Sequence, residues 1–78
     1  MNRPPESTET GWYVKKRMEW IAETLRIFGF INRAHLQKKF GISTPQAAND
    51  FQRFLERYPN KMHYDRNKKC YIRGKPKD

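Results

Sequence analysis

The segment Ile42-Ser43-Thr44-Pro45-Gln46-Ala47-Ala48-Asn49-Asp50-Phe51-Gln52-Arg53-Phe54-Leu55 constrains the fold more than any other part of the chain. It fixes both where a helix starts and how its two faces differ. Ser43 is suited to the N-cap, and Gln46, three residues later, completes a capping-box pattern. Advancing about 100° per residue gathers Ala47, Ala48, Phe51, Phe54, Leu55 and Tyr58 on one side. The other side carries Pro45, Gln46, Asn49, Arg53 and Glu56, with Arg57 at its edge. Gln, Asn and Arg side chains can make paired hydrogen bonds to adenine or guanine edges in the major groove. An apolar back with such a front is the pattern of a helix that reads DNA, so Gln46, Asn49 and Arg53 are the candidate base-reading residues.

The preceding residues supply the partners of such a helix. Val14, Met18, Ile21, Leu25 and Phe28 recur at helical spacing with Ala22 beside them, which predicts a helix over 14–28 that Gly29 ends. Lys15 with Glu19 and Glu23 with Arg26 read as surface pairs on it. Phe30-Ile31 leaves room for one or two residues of strand. Asn32 can cap a second helix over 33–40 that turns Leu36 and Phe40 inward, and Gly41 closes it. Helix, glycine-containing turn, helix is the helix-turn-helix layout. Pro59 stops the third helix at Tyr58.

Beyond that stop, Met62-His63-Tyr64-Asp65 and Lys69-Cys70-Tyr71-Ile72 read as two strands around a basic tip, Arg66-Asn67-Lys68. Two registers are open. A three-residue loop aligns Met62 and Tyr64 with Cys70 and Ile72 on one inner face, whereas a two-residue loop pairs Tyr64 with Lys69. Three helices and a hairpin make a mainly α fold, a winged helix-turn-helix, over 12–73. Residues 1–11, rich in Pro, Ser, Thr and Glu, read as a flexible arm, and 74–78 as a basic tail.

Charge points the same way. The 78 residues carry 17 Lys and Arg against 8 Asp and Glu, a formal net charge of +9. From Arg57 to Lys77 the basic residues are Arg57, Lys61, Arg66, Lys68, Lys69, Arg73, Lys75 and Lys77, with Asp65 the only acid. Such a balance selects a polyanionic partner, nucleic acid before an anionic membrane surface. Candidate backbone contacts are Thr44 at the helix start, Arg33, Lys38 and Lys39 on the second helix, Arg57 at the end of the third, and Arg66, Lys68 and Lys69 in the wing. The single Cys70 excludes an intramolecular disulfide and fits a reducing cytoplasm, with the nucleoid as the place of action. Cys70, His35 and His63 lack metal-ligand spacing, so no metal or cofactor is expected. No apolar run is long enough for a membrane span. No nucleophile–base pattern or phosphate-binding loop points to an enzyme.

The run from Trp20 through Ile72 resembles the N-terminal winged helix-turn-helix of WYL-domain transcriptional regulators, the repressors found beside bacterial anti-phage systems of the CBASS and BREX types. The resemblance lies in Gly29-Phe30-Ile31-Asn32-Arg33-Ala34-His35-Leu36 and in Lys39-Phe40-Gly41-Ile42-Ser43-Thr44-Pro45-Gln46-Ala47. Tyr58-Pro59, His63-Tyr64-Asp65-Arg66 and Lys69-Cys70-Tyr71 continue it. It implies a homodimeric repressor that binds an inverted repeat near its own promoter. The sequence ends at Asp78 without the ligand-sensing WYL module, so either a DNA-binding fragment or a stand-alone relative fits.

Some roles stay divided. Asp50 either orients Arg53 or accepts from a cytosine. Tyr64 and Tyr71 stack on bases or, the favoured reading, pack the hairpin onto the helices. Trp20 and Ile27, with Trp12 and Tyr13 upstream, form a homodimer contact or widen the core. Rival functions are a protein–protein adaptor, which the polar Gln46/Asn49/Arg53 face opposes, and RNA binding, which the inward aromatics oppose.

Overall fold

The computed structural model of the protein describes residues 5–75. Helix α1 (Pro5–Phe28) leads into strand β1 (Phe30–Ile31). Helices α2 (Arg33–Phe40) and α3 (Thr44–Arg57) follow, and strands β2 (Met62–Asp65) and β3 (Cys70–Arg73) complete the chain. The expected bounds of α2 hold, and α3 ends one residue short of Tyr58, which is its C-cap. Helix α1 begins at Pro5 instead of Val14. Proline is well placed at a first helical position, where its missing N–H would have no partner anyway. Of the stretch expected as an arm, residues 5–11 belong to α1; residues 1–4, and 76–78 of the expected tail, lie outside the described residues.

The core forms where the three helices and the sheet meet. Ile21 and Leu25 of α1, Ile31, Leu36, Ala47, Phe51, Phe54 and Met62 are buried, with Met18, Trp20, Phe40, Ile42, Leu55 and Tyr71 packed around them. Phe28, expected inward, is 67% exposed, because the apolar stripe of α1 outruns the length of helix that α2 and α3 cover. Trp20 sits edge-on to Phe40 with ring centroids 5.9 Å apart, so it joins the core, whereas Ile27 stays exposed. On the surface of α1, Glu19 pairs with Lys16 at 3.7 Å in place of Lys15, and Glu23 pairs with Arg26 as expected.

Capping places the helices. The Asn32 side chain accepts from the His35 N–H, and the His35 ring accepts from the Asn32 N–H, a reciprocal box at the start of α2. Gly41 ends α2 in the left-handed region at φ 65°, its N–H donating to the Gln37 carbonyl at 2.6 Å. A Cβ there meets nothing within 4 Å, so strain in the backbone alone opposes a side chain. Gly41→Ala is expected to lower stability by about 1 kcal/mol and Gly41→Asn by less, read from urea midpoints.

The sheet order is β1-β3-β2, antiparallel throughout. Met62 pairs with Arg73, Tyr64 with Tyr71 and Asp65 with Cys70, so the loop has four residues, 66–69. Neither expected register holds. Asp65 takes the turn over: its carboxylate accepts from the Lys68 N–H and its carbonyl from the Lys69 N–H, at 3.0 and 2.7 Å. Lys69 then adopts φ 56°, a left-handed conformation that the sequence did not signal with a glycine. This register sets Tyr71 opposite Ile31 and Tyr64, facing the helices, and turns Ile72 to the other face.

Candidate nucleic-acid interface

Helix α3 presents its front as the sequence implies, with one rearrangement. The Ser43 hydroxyl accepts from the Gln46 N–H at 3.2 Å, so the cap is present. The Gln46 side chain does not return to close the box. Its Nε2 donates instead to Asp50 Oδ1 at 3.0 Å. Asp50 is fully buried, and its other partner is Arg17 of α1, whose Nε donates to Oδ2 at 2.5 Å and Nη2 to Oδ1 at 3.3 Å. Both readings of Asp50 are thereby corrected: it neither orients Arg53 nor reaches a base. A buried carboxylate needs a charged partner and filled lone pairs, and α1 supplies the guanidinium that meets this need.

Gln46, Asn49 and Arg53 line one shallow cleft with Gln52, Glu56, Val14 and Arg17. Asn49, Gln52 and Arg53 are exposed, Gln46 half-buried. Gln52 was not among the expected base-reading residues; it stands three residues after Asn49 and can pair with adenine as Asn can. Ala48, assigned to the buried side, is exposed toward the wing, where a small side chain leaves the backbone of α3 accessible. Thr44 is exposed at the helix start, and its hydroxyl oxygen accepts from Gln37 Nε2 at 3.1 Å, which leaves the hydroxyl proton to donate outward. Gln37 too had no signal in the sequence, since its partner lies across the turn.

A second cleft joins α2, α3 and the wing. Asn32, Arg33, Ala48, Tyr64, Lys69, Cys70 and Tyr71 line it. Tyr71 stacks on Phe51 with centroids 4.4 Å apart and is a packing residue. Tyr64 meets Tyr71 edge-on at 5.0 Å and is 49% exposed. Burial holds the Tyr71 hydroxyl above its ordinary pKa, Tyr64 reinforces the shift, and the nearby Arg33 opposes it. Arg66 and Lys68 are exposed at the wing tip. Arg57 lies 5.8 Å and Lys61 5.9 Å from the Tyr58 ring, two cations at the far end of α3.

Lys38 and Lys39 go elsewhere. They line an apolar groove with Trp20, Thr24, Phe28, Phe30 and His35, not either cleft beside α3. Among the described residues no cluster of His, Cys, Asp or Glu could hold a metal ion, and no helix is long and apolar enough to cross a membrane.

Comparison with known proteins gives this surface a context. Residues 13–76 match the family model of the BrxR transcriptional regulator winged helix-turn-helix domain. The chain is 38% identical over 60 residues to the DNA-binding transcriptional repressor CapW of Escherichia coli strain KTE188, which covers 77% of this chain and 20% of that protein. A CapW of Pseudomonas aeruginosa is 37% identical over the same shares. A CapW of Stenotrophomonas maltophilia is 30% identical over 66 residues, 85% of this chain and 22% of the relative. The chain thus spans about a fifth of the length of the curated relatives it matches.

Proposed function

Because this chain belongs to the BrxR transcriptional regulator winged helix-turn-helix domain family, we propose that it binds double-stranded DNA in a sequence-specific way, as the DNA-contacting part of a repressor. The observation that carries this reading is the α3 front. Asn49, Gln52 and Arg53 stand exposed together on a helix whose back is sealed by Phe51 and Phe54. In this reading α3 enters the major groove with Gln46, Asn49 and Arg53 toward the base edges. Thr44, Arg33 and Lys69 hold phosphates on the side of the second cleft, and Arg66 and Lys68 reach the backbone from the wing. Arg57 extends the basic surface at the end of α3. Lys38 and Lys39 contribute only through the general field, given their separate groove.

Reading and holding separate experimentally. Asn49→Ala or Arg53→Ala is expected to cost about 1–3 kcal/mol on the preferred site and to narrow its advantage over unrelated duplex. Lys68→Ala is expected to weaken both duplexes nearly equally. Competition titrations decide it, and equal losses of discrimination for all three variants would refute the assignment.

The repressor is further proposed to act as a homodimer on an inverted repeat, since one such domain spans few base pairs. Of the proposed contact residues, Ile27 is exposed on α1, which supports pairing there, and Trp20 is half-buried against Phe40. Sedimentation with an inverted-repeat duplex tests it, and one subunit bound at saturation would overturn it.

A further inference from the structure

We propose that Ala48 reads the C5 methyl group of thymine, so that the preferred site carries a thymine on the strand seated between α3 and the wing. The inference rests on the reading of α3 as the base-contacting helix and adds what the smallest side chain of its exposed face selects.

Ala48 interrupts an otherwise polar front. Ala47 beside it is fully buried, whereas Ala48 stands exposed and takes no part in the core. Going round α3 at about 100° per residue from the exposed Thr44, Ala48 follows at about 40°, Gln52 at about 80° and Asn49 at about 140°. Thr44 marks the phosphate edge of this face, since its hydroxyl accepts from Gln37 Nε2 at 3.1 Å and keeps its own proton to donate. The same edge borders the cleft that Ala48 shares with Arg33, Lys69 and the exposed Tyr64. Among the described residues neither Arg33 nor Lys69 is engaged in an ion pair, so both cations are open to a phosphodiester of the strand lying there.

The order of side chains across α3 matches the order of groups across a base-pair edge. From a strand's own phosphates inward, the first major-groove position of a pyrimidine is C5 and that of a purine is N7. The amino and carbonyl groups lie nearer the middle. Ala48, between the phosphate edge and the amides of Gln52 and Asn49, faces that outermost position. It offers neither donor nor acceptor. A purine there would press N7 against a methyl group and lose the water that satisfies it, and cytosine would leave the space of a methyl unfilled. Of the four bases only thymine supplies an apolar group there.

The test selects binding sites from a pool of randomised duplexes, then replaces each thymine of the preferred site in turn by deoxyuridine. This removes the methyl and keeps every hydrogen-bonding group. At one position of a half-site the replacement should weaken binding by about fourfold, the effect of uncovering a methylene-sized group. In Ala48→Gly, with folding checked by thermal melting, the loss at that position should all but disappear while losses elsewhere persist. Cytosine set at that position should bind more tightly when methylated at C5, again by about fourfold, and only with Ala48 present. If Ala48→Gly does not fold, Ala48→Ser keeps the helix and sets a hydroxyl against the methyl, and it should weaken the deoxyuridine effect at the same position. The absence of any methyl-sensitive position, or a methyl effect that persists at full size in the folded Ala48 variants, would overturn the inference while leaving DNA binding intact. Failure of the unaltered protein to bind duplex would instead remove the functional reading itself.

Discussion

Arg17→Ala is expected to destabilise the domain by about 3–5 kcal/mol, because it strands the fully buried Asp50 carboxylate with the Gln46 amide as its remaining partner. Domains of this size have a total margin on the order of 5–10 kcal/mol, so the loss takes a large part of it. Thermal melting followed by circular dichroism should show a Tm lower by roughly 20 °C. The pair is asymmetric. The Arg17 side chain is 11% exposed and Asp50 not at all, so after Asp50→Leu the guanidinium can swing its head to water along its flexible stem. Asp50→Leu should therefore cost clearly less than Arg17→Ala. Equal and small losses for the two would show that α1 and α3 are held by apolar packing alone.

The same pair marks where sequence reading ends. Periodicity and capping signals located α2 to the residue and α3 to within one, since Asn32, Gly41, Ser43 and Pro59 act on neighbours a few positions away. The exposed front of α3 followed from the same local rules. What Asp50 does there depends on Arg17, and nothing in the spacing of the two residues announces that they meet. The half-made capping box has the same origin: Gln46 sits at the right position, but donating its Nε2 to the buried Asp50 carboxylate draws its side chain away from the Ser43 N–H. The wing register was hidden for a different reason. Its loop relies on Asp65 and on a lysine in a left-handed conformation, where turn rules look for glycine or asparagine. Phe28 misled because a stripe predicts a face and not how far the rest of the fold extends along it.

Binding to duplex DNA is expected to fall about a thousandfold between roughly 50 and 200 mM salt if some six phosphates are neutralised. The count is supported by the exposed cations flanking α3: Arg33, Lys69, Arg66 and Lys68 on one side, Arg57 and Lys61 on the other. Asp65 is the acid nearest the wing tip, and its carboxylate is engaged by the Lys68 N–H. The logarithm of affinity plotted against the logarithm of salt concentration gives the number directly. Lys68→Ala should reduce the slope by about one phosphate equivalent. A flat plot would mean that the basic surface takes no part in binding.

Strand β1 has only two residues, yet it ties the hairpin to the helices. Its pairing with β3 is extended by the Arg73 N–H, which donates to the Gly29 carbonyl at 2.9 Å, and by the Arg73 guanidinium, which donates to the Arg26 carbonyl at 3.0 Å. The stem of the wing has therefore already given up its conformational freedom during folding, and DNA need not order it again. In thermodynamic terms, association should be close to rigid docking. Titration calorimetry at several temperatures would then give a heat-capacity change set by the surface buried at the groove alone, without the larger negative value that accompanies folding coupled to binding.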